Sequence, residues 1–280
     1  MLKCDIILRT CDRIYSVHTS SSETKHRIPG PEFSKLDIMV RCINSLITSI
    51  NLCSADMRLI VIDDNSSDEG IERITQLIRK CKCPTEFISL ENVTGNGASL
   101  KACYDWARNN GSDYLFFVED DYLHCSCCMS EMLGELDFFR TKLRNHEVAI
   151  FPYDNIDNYM QTVKNEIPCF MTLGSKRHWR TVTNSTSTFL CSKYILDHYW
   201  FLFERMKDYA IDPSVSRDTT TNIIWTAPYK QAGGAYLLSP IPTLSLHFHY
   251  REHLSPFVNW KEWWDKNDPE SLSDKIKSES

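Results

Sequence analysis

The run Tyr114-Leu115-Phe116-Phe117-Val118 is apolar without interruption and stops on three carboxylates in a row, Glu119-Asp120-Asp121. A short continuous apolar run fits a strand buried on both faces, the kind found in parallel sheets that carry helices on either side. The same design recurs earlier. Cys4-Asp5-Ile6-Ile7-Leu8 runs into Arg9-Thr10-Cys11-Asp12-Arg13, Arg58 to Ile62 runs into Asp63-Asp64-Asn65-Ser66-Ser67-Asp68, and Thr85 to Leu90 precedes the turn Gly95-Asn96-Gly97. Between these runs lie stripes at helical spacing: Leu36, Met39, Val40, Ile43, Leu46 and Ile47; Ile71, Ile74, Leu77 and Ile78; Leu100, Cys103, Tyr104 and Ala107. Asp68 is the expected N-cap of the second stripe. Strand and helix alternate, which predicts an α/β fold with an open, mostly parallel, Rossmann-like central sheet flanked by helices. In such sheets a ligand binds beyond the carboxyl ends of the strands, where the polar residues above fall.

Past Asp121 the alternation loosens. Met129, Met132, Leu133, Leu136 and Phe139 mark another helix and Val148 to Phe151 another strand, after which aromatic residues, proline and polar turns mix. The expected division is a first half over 1–122, a smaller substrate-facing half over 123–250 and a tail over 251–280, all within one continuous domain. The last fifteen residues are polar and charged and are expected to fray. Residues 16 to 31, rich in Ser, Thr, Gly and Pro, are expected to form a long mobile loop and a candidate lid.

Charge excludes one class of partner. A formal net charge of -6 leaves no global cationic field to attract a phosphate backbone, so no nucleic-acid partner is expected. No apolar run reaches about 18 residues, so no membrane span is expected. The first strand starts close to Met1, which predicts a chain without a leader. Twelve cysteines then read as reduced thiols in a cytoplasm, bacterial or that of a virus's host.

The acids carry the chemistry. Adjacent carboxylates repel one another, and near a core their charge costs free energy unless a cation or a donor offsets it. Mg²⁺ or Mn²⁺ does so when held by one or two carboxylates plus diphosphate oxygens; a solvated turn is the plain alternative. Asp63-Asp64 occupies the equivalent position on the second strand, so both acidic pairs should face one rim. One pair would accept hydrogen bonds from a base or a ribose while the other meets the metal.

LIVIDDNSSDEG, GNGASLKACYDWA and SDYLFFVEDDYL resemble the successive signatures of family 2 glycosyltransferases with the GT-A fold, over residues 4 to 122 and more weakly to about 250. The resemblance implies a metal-dependent glycosyltransferase moving a sugar from a nucleotide-diphosphate donor to the hydroxyl of a glycan or other acceptor, with inversion. It implies that Thr10 and Arg13 lie on the nucleotide side, that Asp64 bonds the base and that Asp63 shapes the pocket. Asn96, Gly97 and Lys101 would pass under ribose and diphosphate. Glu119 and Asp120 would stand near the donor, with Asp121 the direct metal ligand, Mn²⁺ or Mg²⁺. Cys11 stands where the family often has an aromatic residue. His247, in the run His247-Phe248-His249, matches a late metal ligand, and its alternation with His249 lets only one ring reach the metal. Asp218, ahead of Ile223-Ile224-Trp225, matches the general base, with a helix N-cap as its alternative role.

Other features point to packing. Asn184 to Thr188 reads as a polar turn, with hydroxyls that could instead bond sugar hydroxyls, and Trp179, Trp260, Trp263 and Trp264 read as packing residues, with stacking on a sugar face as the alternative. His124, Cys125, Cys127 and Cys128 lack the paired spacing of a structural zinc site. Two other activities fit the α/β pattern less well. A sugar nucleotidylyltransferase usually has a glycine-rich basic loop after the first strand, where this chain has Arg9-Thr10-Cys11-Asp12-Arg13; a non-catalytic sugar-nucleotide-binding or interaction protein would need neither both acidic pairs nor Asp218.

Overall fold

The computed structural model describes residues 3–13, 28–30, 32–91, 95–144, 146–156, 158–159, 167–230, 233–248 and 254–269. The expected lid loop, save for residues 28–30, lies outside these residues, as do His249 and most of the C-terminal segment expected to fray.

β1 (Lys3–Thr10) lies between β2 (Asp56–Asp63) and β4 (Tyr114–Glu119), parallel to both, and β3 (Thr85–Ser89) extends the sheet outside β2. Among the described residues the sheet has nine strands and continues past β4 through β9 (Phe189–Ser192), β6 (Glu147–Ile150), β10 (Ala235–Ile241), β8 (His178–Val182) and β7 (Met171–Leu173). β9 is antiparallel to both β4 and β6, so the sheet crosses from the first half of the chain into the second without a break. β5 (Tyr122–His124) and β11 (Ser245–His247) form a two-stranded ribbon at the end of β4.

Helices cover this sheet, as an α/β core requires. Among the described residues they include α1 (Lys35–Asn51), α2 (Asp68–Ile78), α3 (Asn96–Asn110), α4 (Cys128–Lys142), α5 (Lys193–His198), α6 (Trp200–Glu204), α7 (Asn222–Lys230) and α8 (Trp260–Lys266), with a 3₁₀ turn at Arg205–Asp208. The stripe expected on α1 is buried at Met39, Val40, Ile43, Leu46 and Ile47. Each such side chain contributes about 1.5–3 kcal/mol relative to exposure. A capping box starts the helix: Ser34 Oγ accepts from Asp37 N at 3.1 Å, and Asp37 Oδ2 accepts from Ser34 N at 2.8 Å.

One boundary moves. Ser67 is the N-cap of α2, and Asp68 is its first residue. Ser67 has the extended backbone a cap needs, and its hydroxyl accepts from Gly70 N at 3.1 Å; Asp68 instead places a carboxylate in the first turn, which the helix dipole favours. The tryptophans pack: Trp179 is fully buried beside Phe139, and Trp264 stacks on Phe248 and meets Phe33 edge-on. No helix of the described residues is long and apolar enough to cross a membrane.

Candidate functional site

Register brings the polar ends together. Because β1 runs parallel to both neighbours, Thr10 pairs with Asp63 on one side while Arg9 pairs with Glu119 on the other. Both acidic runs therefore emerge at one rim, flanking the end of β1. There a cleft of about 430 Å³ is lined by Arg9, Thr10, Cys11, Arg13, Lys35, Asp64, Gly95 to Gly97, Glu119 to Asp121, and Tyr209 to Ile211.

At the β2 end, Asp63 is fully buried and held by neutral donors. Its Oδ1 accepts from Thr10 Oγ1 at 2.7 Å and Ser66 Oγ at 2.6 Å, and its Oδ2 accepts from Ser66 N at 2.9 Å. Asp63 thus ties the turn after β2 to the end of β1 and shapes the cleft without lining it. Asp64, its neighbour, does line the cleft. Its backbone N–H donates to Thr10 O at 2.8 Å and its Oδ2 accepts from Gly95 N at 3.1 Å. Its Oδ1 is buried and has no hydrogen-bond partner among the described residues. Burial raises the Asp64 pKa above the ordinary carboxylate value, although the Ser99 hydroxyl, the Gly95 N–H and the Arg9 charge pull it down.

The β4 end is built from charges. Arg9 pairs with Glu119 and also donates to Ser99 Oγ at 3.2 Å. Asp120 accepts from Lys35 Nζ at 2.5 Å through Oδ1 and from Cys11 N at 2.8 Å through Oδ2. Burial raises the Asp120 pKa; Lys35 opposes that shift and the Asp121 charge adds to it. Asp121 Oδ2 lies 3.3 Å from His247 Nε2. Strand pairing sets that contact: β11 places His247 beside Tyr122, and the two rings stack at 4.6 Å. Phe248 N donates to Asp121 O at 2.8 Å, which fixes the backbone next to the carboxylate. Beneath, Thr188 Oγ1 accepts from Glu119 N at 3.3 Å and Thr186 bonds the Tyr122 hydroxyl, so the Asn184–Thr188 run supports this corner.

Asp121 and His247 offer a carboxylate oxygen and an imidazole nitrogen side by side. No group of three His, Cys, Asp or Glu side chains among the described residues could hold a metal ion. That donor set fits a hard divalent cation that takes its other ligands from a diphosphate and water, and not a site built wholly from protein. His124 and Cys128 are buried, with Cys128 Sγ 3.6 Å from His124 Nδ1.

The third wall comes from α3 and from a distant segment. Gly95 caps α3 with φ 97°, and Asn96 and Gly97 present the helix start to the cleft. A Cβ on Gly97 would lie 2.5 Å from Tyr209 O and 2.7 Å from Lys207 O, so glycine here serves the close approach of the 206–210 backbone. Of the residues expected at the site, Thr10, Arg13, Asp64, Asn96, Gly97 and Glu119 to Asp121 line the cleft, with Asp63 and His247 directly behind it. Lys101 does not line it: its ammonium bonds Asp105 at 2.6 and 2.7 Å and lies 5.1 Å from the Trp200 ring centre. Asp218 also stands outside the lining, exposed on the turn before α7, where its Oδ1 accepts from Asn222 Nδ2 at 2.8 Å. It is not the N-cap of α7, which begins four residues later at Asn222. Sequence reasoning missed Arg9, Lys35 and Tyr209 to Ile211. Arg9 was legible as the basic residue one step before Thr10; the others reach the cleft only through the fold.

Residues 32–200 match the family described as Glycosyl transferase family 2. No curated protein sequence matches the chain. Among solved structures, the chain is similar to S. aureus TarS, at 13% identity over 74% of this chain and 33% of that one, with a TM-score of 0.42. It is also similar to glucosyl-3-phosphoglycerate synthase from Mycobacterium tuberculosis (13% identity, 88% and 72% coverage, TM-score 0.45). HddC from Yersinia pseudotuberculosis is a third similar structure (12% identity, 96% and 100% coverage, TM-score 0.45). The chain spans about a third of the TarS chain's length.

Proposed function

From a chain that belongs to glycosyl transferase family 2, and so is an enzyme of glycosyl transfer, we propose that the cleft binds a nucleoside-diphosphate sugar, base at the β2 end and diphosphate at the β4 end. One observation carries this orientation. Asp64 Oδ1 is buried without a hydrogen-bond partner among the described residues, in the same cleft whose far end holds Asp120 and Asp121. A buried acceptor is costly until a donor reaches it, and a base N–H is such a donor.

The other residues take roles along that axis. Thr10 and Asp63 fix the floor, Arg13 stands at the exposed mouth, and Asn96 and Gly97 bring the α3 amino terminus toward the ribose and diphosphate. Glu119 holds Arg9 at the donor's side of the corner, and Asp120, oriented by the Cys11 N–H, stands beside it. Asp121 with His247 would hold Mn²⁺ or Mg²⁺, which when bound offsets the charge of the departing diphosphate. The acceptor hydroxyl oxygen attacks the anomeric carbon as the bond from that carbon to the diphosphate oxygen breaks, inverting the centre. Asp218 takes the hydroxyl proton in this scheme. Its carboxylate is exposed, next to Arg217, whose guanidinium lies 5.5 Å from the ring centre of Tyr209 on the cleft wall.

Calorimetric titration with UDP, GDP, dTDP, CDP and ADP, each with Mn²⁺ and with EDTA, tests the assignment. The expected result is one preferred base and an affinity at least about tenfold higher with the metal. Absence of binding by every diphosphate would overturn the reading. Asp218→Asn should keep diphosphate affinity and lose transfer; retained transfer would remove Asp218 as the base.

A further inference from the structure

Among the described residues, three cations face the cleft: Arg9, Arg13 and Lys35. Arg9 is engaged inside the sheet by Glu119 and Ser99, and Arg13 is exposed at the mouth. Lys35 is different. It is the first residue of α1, its side chain is 24% exposed, and its ammonium sits on Asp120 in the acidic corner. A cation at a helix amino terminus opposes the helix dipole, and the first turn already has the favourable acid in Asp37. Helix stability therefore does not explain a lysine here; the cleft does. The Ser34–Asp37 capping box fixes the turn that carries it. Meanwhile Lys101, the lysine expected near the diphosphate, is held by Asp105.

We propose that Lys35 is a donor-binding residue: its ammonium holds Asp120 in the donor-free protein and passes to a diphosphate oxygen when the nucleotide and a divalent cation enter. The proposal rests on the cleft being a diphosphate site. Lysine suits an exchange of partners, because its charge is a compact point on a flexible four-carbon stem. Asp120 keeps the Cys11 N–H when Lys35 leaves, so it stays oriented. Two consequences follow. Without divalent metal, Lys35 supplies positive charge to the diphosphate at the acidic corner. Without donor, it competes with the metal for the carboxylates of the corner.

The test compares wild type with Lys35→Met, Lys35→Gln and Lys35→Arg in the full chain, with thermal melting to verify folding. The probes are the nucleoside diphosphate that wild type prefers, the matching nucleoside, and Mn²⁺ alone followed by electron paramagnetic resonance of the free ion. In EDTA, Lys35→Met and Lys35→Gln should weaken diphosphate binding at least about tenfold. The loss should be smaller with Mn²⁺, nucleoside affinity should stay within about twofold, and Mn²⁺ alone should bind more tightly. Lys35→Arg should retain most of the diphosphate affinity in EDTA. Wild-type affinity for the diphosphate in both neutral variants would overturn the assignment to Lys35 and leave the cleft reading standing. Equal loss for nucleoside and diphosphate would overturn it as well, by showing general damage. Failure of wild type to bind any diphosphate would overturn the cleft reading itself.

Discussion

At the end of β2, Asp63 is satisfied by two hydroxyls and a backbone N–H, whereas at the end of β4 Glu119, Asp120 and Asp121 each face a basic side chain, Arg9, Lys35 and His247. Both corners sit at the same rim and both come from an apolar strand running into acid. They differ in what offsets the charge. Neutral donors in fixed positions make a rigid corner with one satisfied carboxylate and one reserved acceptor, Asp64. Charged partners make a corner whose pairs can be re-formed when an anion and a cation enter together. The proposed binding mode uses both: fixed acceptors for a neutral base at one end and exchangeable charge for an anionic diphosphate at the other.

Substitutions separate the corners, and the largest effect is expected on turnover. Asp121→Asn should lower transfer from sugar nucleotides by about 10²–10³-fold, equivalent to about 3–4 kcal/mol of transition-state stabilisation. Its urea midpoint should imply a stability change within about 1 kcal/mol, because the Asp121 side chain is 23% exposed at the rim. A large loss of stability instead would erase the contrast with Asp63. For Asp63→Ala the balance reverses: three hydrogen bonds to a buried carboxylate disappear and leave Thr10 and Ser66 unsatisfied. Stability should fall by about 2–4 kcal/mol in chemical denaturation, and a near-neutral result would show that the β2 corner is not rigidified by this residue. The smallest effect belongs to Asp64→Asn, which should weaken nucleoside-diphosphate binding about tenfold by calorimetry. The raised pKa of Asp64 means that folding favours its protonated form. Its contribution to stability is therefore greatest below the unfolded pKa and is lost as pH rises through the folded one. At pH 7 Asp64→Asn should thus be neutral or stabilising, and destabilisation in a pH series of melts would reveal a structural role for its charge.

The first half of the fold was legible because its signals are local. β1, β2 and β4 are contiguous apolar runs, and the helices between them carry their stripes in one stretch each, so only caps shifted, as at Ser67 and Asp68. The acids were legible for the same reason: an apolar strand cannot continue through them. Long-range pairing was not. β9 inserts antiparallel between β4 and β6, and no periodicity announces which strand a short apolar run will join. Lys101 shows the same limit within a helix, since its neighbour Asp105 and the Trp200 ring, not its sequence position, decide where its ammonium points.

By itself the sequence determined the α/β layering, the rim on which the acidic runs emerge and the family to which the chain resembles, because burial patterns and strand ends are written residue by residue. Only the tertiary structure decided which partner each carboxylate has. Lys35 reaches Asp120 across 85 positions and His247 reaches Asp121 across 126. Such contacts arise where α1 and the β5–β11 ribbon pack against the sheet end; a charge pair depends on the distance between its partners in space, which separation along the chain does not set.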